Sequence, residues 1–411
     1  MNFRRITIAA CAALATTLAV AQPEPATEAH DALDDEAAAL EAVRSDTIRR
    51  YRDEISALEQ AGGAYSTGLT EPLLELGLAL QQAGQHAEAI RVLKRGVHLA
   101  RVNEGLYSEQ QLALIEAEIR SHMALGDFKA ADDRHRYLYR VQQRTLTDTG
   151  RSLALMRQAR WQRRAYELGL DENGFERLLR MWNLYRLALS EIAENEGDTS
   201  PNLLPPLYGM LRAQYLISGF DGSDPTGLSA DPFDPRVDEG RFVAFRSQSY
   251  KQGGSVIRAI YDVQQAQPGA GPREHADALV LLGDWRLWHD KADEAAQAYA
   301  DALAELAALD DAEKATADIF GAPVALPALE GIRPLPEPVP PEGASLLVEF
   351  TVDERGRVRD LDRVDEADDN EGIANRLLRK LRRTQFRPRF ADGQPVPTTG
   401  IQWAYDTSNW Q

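Results

Sequence analysis

Seven histidines, one cysteine and an aspartate-dense stretch are the residues of this 411-residue chain that could support metal or covalent chemistry. The histidines are scattered, with no His-x3-His or Glu-x-x-His spacing to place two ligands on one helical face. Asp221 to Asp238 has carboxylates enough for calcium but lacks the alternating Asp/Asn order and glycine of a calcium loop. A solvated loop is expected there. No Gly-x-Ser-x-Gly elbow, phosphate loop or dinucleotide fingerprint occurs. The expectation is a protein that is not an enzyme, with no cofactor and no metal site.

Charge distribution says more. Residues 129–164 carry ten Lys/Arg against three Asp in a chain whose formal net charge is −18. Lined up on one face, Arg134, Arg136, Arg140, Arg144, Arg157, Arg160 and Arg164 would attract an acidic or otherwise anionic partner. On helix exteriors they would instead be solvated and paired within the chain. A second basic block, Arg376, Arg379, Lys380 and Arg383, shares a helix face and follows Asp365, Glu366, Asp368, Asp369 and Glu371. Acid at a helix start and base at its end complement the helix dipole, so a structural role is expected. The acidic total argues against general nucleic-acid or anionic-membrane binding.

These residues need elements to position them. Met1 to Ala21 has a basic start (Arg4, Arg5), an apolar core from Ile6 to Val20, and Ala19 and Ala21 at the −3 and −1 positions before Gln22. That is the pattern of a secretory signal peptide. About fifteen apolar residues also fall short of the roughly twenty that span a bilayer. Cleavage after Ala21 removes Arg4, Arg5 and the only cysteine, Cys11, taking the charge from −18 to −20. Disulfides and thiolate chemistry are thereby excluded from the mature chain. Residues 22–33, rich in Pro, Ala and Glu, are expected to be a disordered tail.

From 34 to 310 apolar residues recur at helical spacing, and the sequence repeats. Tyr65-Ser66 recurs as Tyr107-Ser108, Gly84 as Gly126 and Ala89 as Ala131, each 42 residues on. Leu76-Gly77, a turn at Ala83-Gly84, then Ala89, Leu93 and Gly96 form a helix–turn–helix pattern. Small Gly77 and Ala89 permit close approach, while Leu73, Leu80 and Leu93 fill the space around them. Leu282-Gly283, Ala295, Tyr299 and Ala302 repeat it. The segments Leu73 to Arg101 and Leu279 to Ala302 resemble tetratricopeptide repeats, which implies a stacked helical solenoid with a protein-binding concave face. In that register His122 and His135 occupy the packing positions of Leu80 and Leu93. Between Thr147 and Val263 only helical periodicity survives, as in Phe175, Leu178, Met181, Trp182 and Tyr185.

Residues 321–343 hold seven prolines and are expected to form a stiff extended linker. Beyond it, 344–406 reads as strand, strand, helix, strand, strand, with turns at Asp353 to Gly356 and Asp392-Gly393. The fold class expected is α+β multidomain. The residues Val348-x-Phe350-x-Val352-Asp353-Glu354-x-Gly356-x-Val358, then Phe386-Arg387-Pro388 and Asp392-Gly393-Gln394-Pro395-Val396, resemble the C-terminal domain of the TonB energy-transducer family. The resemblance implies a periplasmic domain whose free strand edge takes a partner peptide by β-augmentation. The expected edge is Ile401, Gln402, Trp403, Ala404 and Tyr405. The Tyr-Pro pair of the family is replaced by Arg333-Pro334.

The function expected is a periplasmic adaptor whose partners are other envelope proteins or extended peptides. Its alternative is a TonB-type energy transducer, anchored by an uncleaved N-terminal segment and partnered by an outer-membrane transporter.

Overall fold

A computed structural model of the protein describes residues 26–170, 174–220, 236–365 and 371–406. The proposed signal segment and most of the Asp221 to Asp238 stretch lie outside the described residues. The chain divides into two compact units, residues 1–103 and 104–411.

The first unit contains α1 (Ala26–Gly62), α2 (Thr70–Gln82) and α3 (His86–Glu104). The tail expected over 22–33 is helical from Ala26. Ala and Glu are strong helix formers, and this propensity prevails once Pro23 and Pro25 are passed. Leu93 of α3 lies directly on the backbone of Gly77 in α2, where a Cβ would overlap its side chain. The turn between them is closed at Gly84, with φ +72°. Gln85 N donates to Leu80 O at 2.8 Å and Gly84 N to Gln81 O at 3.0 Å, the paired bonds of a Schellman cap. Arg52 of α1 pairs with Glu88 of α3 at 2.8 Å.

In the second unit, α4 (Gln110–Ala124), α5 (Phe128–Thr145), α6 (Asp148–Glu167), α7 (Phe175–Glu196) and α8 (Leu204–Ser218) lead to α9 (Arg236–Ser247). Then come α10 (Ser249–Gln265), α11 (Pro272–Trp288), α12 (Ala292–Leu306) and α13 (Ala312–Phe320). Helices pack mainly on their neighbours in sequence, α8 also meeting α10 across α9, as expected of a stacked array. The Schellman pair recurs after α4, α6 and α11, at Gly126, Gly169 and Asp290. The repeat therefore continues at Gly169, beyond the turns marked by Gly84 and Gly126. Within the described helices, three glycines carry a large ring on their backbones: Gly209 under Tyr185, Gly253 under Trp285 and Gly283 under Tyr299.

Residues 321–406 add a small α+β module. β1 is Val324–Ala325, β2 Leu346–Val352, β3 Val358–Arg363, α14 Glu371–Arg383 and β4 Phe386–Arg387. β5 (Arg389–Ala391), β6 (Gln394–Val396) and β7 (Thr398–Tyr405) follow. The main sheet is antiparallel in the order β3-β2-β7. α14 covers one face with Ala374, Leu377 and Leu381, against Val348, Phe350, Phe386 and Tyr405. The strand expected directly after the helix, over Gln385 to Phe390, is split at Pro388, which has no N–H to continue a ladder. Its first part, β4, pairs with β1, and its second, β5, with β6. The β5–β6 turn has Asp392 and Gly393 both at positive φ, the type I′ signature.

The expected stiff linker is instead a packed strap. Leu326 enters the core of α11–α13, Leu329 and Ile332 lie on the core of α6–α11, and Leu335 joins the sheet core. Arg163 donates to Gly331 O, and Arg212 to Glu330 O at 3.0 Å. Apolar residues interspersed among the prolines gain more from burial than from a solvated extended helix. The module is also bonded to the helices directly. Phe390 packs on Tyr299 and Phe320, and the Arg387 guanidinium lies buried 3.6 Å from the Asp284 carboxylate.

Candidate functional site

Two surfaces were expected to bind partners, and the structure places their residues as follows. β7 pairs along one side with β2, from Leu346 opposite Tyr405 to Val352 opposite Thr398. On the other side Ala404 O accepts from Val339 N at 2.8 Å, so the strap already covers that end. Backbone groups alternate along a strand. Gln402 therefore faces outward like Ala404, and no backbone group outside β2 reaches it among the described residues. Tyr405 is buried and its carbonyl accepts from Ser345 N at 3.0 Å. Trp403 packs edge-on against Phe350 at 5.1 Å. The expected edge, 401–405, is thus engaged at Ala404 and Tyr405, and the open part runs from Thr398 to Gln402. Sequence reading missed the covering strap because Val339 sits among prolines and carries no strand pattern.

The seven arginines do not gather on one face. Arg134 pairs with the buried Glu118 at 2.7 Å and lies over Tyr137. Arg144 lies over Tyr107, Arg157 is 3.5 Å from Glu116, and Arg164 is 3.6 Å from Glu167. Arg160 is exposed. Only Arg136 and Arg140 share a groove, of about 770 Å³ between α5, α6 and α7. Arg180, which the charge pattern over 129–164 could not reveal, joins them there with Tyr139, Gln158, Gln162 and Asn183. Arg136 and Arg180 are themselves paired with Asp133 and Glu176.

Beneath this groove lies a buried polar network. Asp132 of α5 accepts two bonds from Arg177 of α7, at 2.9 and 2.8 Å, and one from Trp161 Nε1 of α6 at 2.7 Å. Burial acts to raise the Asp132 carboxyl, but the Arg177 and Trp161 hydrogen bonds and the Arg177 charge outweigh it and hold it below the usual range. The His135 ring stacks on Trp161 with centroids 3.9 Å apart, and burial pulls its pKa down to about 4 against the opposing pull of Asp132. His122 is buried with its ring nitrogens 3.6 Å from Glu118 and 3.3 Å from Asp127. Both histidines are packing residues, as their repeat register indicates. The network fixes three successive helices and so sets the shape of the groove above it.

Fold and surfaces together define a helical-repeat chain with a small C-terminal α+β module. No protein-family profile matches the sequence, and no curated protein matches it. Among solved structures, one similar chain is a putative kinesin light chain of nearly identical TPR-like repeats from Podosopora anserina. It has 14% identity and a TM-score of 0.38, with 59% of this chain and 96% of that one covered. Another is BtubC (BKLC) from P. vanneervenii, with 12% identity, a TM-score of 0.37, and coverage of 73% and 94%. Among the described residues, no helix is long and apolar enough to cross a membrane.

Proposed function

We propose that this chain is an exported adaptor of the bacterial periplasm that joins two protein partners, one on its tetratricopeptide-like helical hairpins and one by strand addition to its TonB-like module. The observation that carries the reading is the edge of β7. One side is hydrogen-bonded to β2, while the outward N–H and C=O of Gln402 are left for an incoming strand. The order β3-β2-β7 with α14 on one face, and the Gly356 and Asp392-Gly393 turns, support the TonB-like assignment. The stacked hairpins support a protein-binding role for the helices. Export rests on the pattern of residues 1–21.

The test separates backbone from side chain. Gln402→Pro deletes the outward N–H without touching the β2 ladder, and proline is tolerated at such edges. Gln402→Ala deletes only the side chain, which bonds Glu349 at 2.7 Å. An envelope protein cross-linked by the wild-type chain and by Gln402→Ala, but lost with Gln402→Pro, is the expected result. Equal capture by all three refutes strand addition. Export is checked by the N-terminus of the native protein, expected at Gln22; a native chain beginning at Met1 refutes cleavage.

A further inference from the structure

A third concave site lies where α14, the strap and the ends of α6, α8 and α11 meet. It encloses about 680 Å³, and among the described residues its lining contains six cations and no carboxylate. The cations are Arg333 from the strap, which pairs with Glu337 at 3.0 Å, and Arg376, Arg379, Lys380, Arg382 and Arg383 from α14. The opposite wall is apolar and aromatic, with Tyr166, Tyr215, Leu216, Trp288, Pro327 and Ile332. Trp288 is held there by its Nε1–H bond to Ser218 Oγ at 2.9 Å.

The helix dipole explains only part of this. Its pull on cations fades beyond the last turn, which accounts for Lys380, Arg382 and Arg383. Arg376 and Arg379 lie before that turn, yet they continue the same stripe. Several exposed cations on other helices pair with an acid three or four residues away, as in Arg180–Glu176, Arg273–Asp277 and Lys314–Asp318. α14 itself contains one acid, Glu371, and none of its five cations forms an ion pair with a described residue. Like charges brought together on one wall repel, so the arrangement is stabilised by an anion placed among them.

We infer that this cleft docks an acidic peptide segment of a protein partner, one carrying apolar side chains between its carboxylates. A bare phosphate would satisfy the cations and leave the Trp288–Ile332 wall uncovered, and nucleic acid is opposed by a chain charge of −18. The stripe from Arg376 to Arg383 rises about 10 Å along the helix, the reach of about three residues of extended peptide. The site is separate from the edge of β7, so the two can fail independently.

The probe is a labelled decapeptide alternating Glu with Leu and Phe, titrated into the full chain, beside a counterpart with every Glu replaced by Gln. Expected is binding of the acidic peptide alone, weakening as salt rises. The variant Arg376→Ala/Arg379→Ala/Arg383→Ala should lose roughly tenfold or more in Kd. Its unfolding midpoint should not fall, because these side chains are exposed and repel one another. Trp288→Ala should weaken binding in a salt-independent way, and Gln402→Pro should leave it intact. Equal binding of the Gln peptide, or no binding of either, overturns the inference. So does binding of phosphatidylglycerol vesicles through the same arginines in place of the peptide, which would make the cleft a membrane contact.

Discussion

Gly253 and Gly254 are adjacent in α10, and replacing each by alanine should change stability in opposite directions. At Gly254 an added Cβ meets nothing within 4 Å. The substitution then removes only the flexibility of an interior helical glycine and should stabilise by about 0.5–1 kcal/mol. At Gly253 the same Cβ would lie under 3.0 Å from three carbons of the Trp285 ring. That ring cannot step aside. It is fully buried, its Nε1–H is bonded to Tyr250 O at 3.0 Å, and it meets the Tyr215 ring edge-on at 4.7 Å. Overpacking of this kind costs about 1–3 kcal/mol, against a helix-propensity gain of about 1 kcal/mol. The two variants should therefore differ by about 2 kcal/mol, or roughly 3 °C in thermal midpoint for a unit of this size. Differential scanning calorimetry of the two purified proteins beside the wild type measures this. A Gly253→Ala protein as stable as wild type would refute the idea that rings seated on glycines set helix spacing here.

Three further outcomes are expected. Arg177→Met removes the two-bond partner of the buried Asp132 carboxylate and leaves only Arg136, 3.7 Å away, as a cation, so it should cost about 3 kcal/mol in urea unfolding; a loss under 1 kcal/mol would mean that the network adds little. Arg387→Met should be similarly harmful, with Asp284→Asn added to it recovering part of the loss, since burial already raises the Asp284 carboxyl and Arg387 counters it; a double variant worse than the sum of both singles would contradict the pairing. His135 has a folded pKa near 4 against an ordinary 6.5, so the unfolded chain takes up a proton that the folded chain refuses. Its contribution is intact above pH 6.5 and is lost progressively as pH falls toward 4, by about 2 kcal/mol at pH 5. His289, similarly depressed by burial, adds in the same direction. Unfolding midpoints at pH 7.5 and 5 should differ less in His135→Phe than in wild type, and equal slopes would exclude His135 as the cause.

What the sequence disclosed follows from how local each interaction is. Gly77 with Leu93 and Gly283 with Tyr299 are successive helices of one hairpin, so a fixed step in the sequence reveals both. Gly209 takes its ring from the preceding helix and Gly253 from the following one, at different steps, and no single period finds them. The Asp392-Gly393 hairpin and the buried side of α14 were legible because turn chemistry and helical period are local. The Arg134 to Arg164 charge run was visible, but its dispersal was not. The carboxylates that pair with it, such as Glu116 and Glu118, come from a different helix. Proline content concealed the strap, because composition reports backbone stiffness and says nothing of where intervening leucines are buried.

That strap has a consequence for handling the molecule. Its four apolar side chains stitch three separate cores together, so the module at residues 344–406 is a rigid handle on the helices and not a bead on a string. Were a strand to add at Gln402 as proposed, it would be held at a set bearing to α6–α12, and tension on it would pass into their packing. Severing the protein within the prolines should strip cover from Tyr299, Phe320 and Phe390 at once, leaving two sticky fragments where composition alone promises two clean domains.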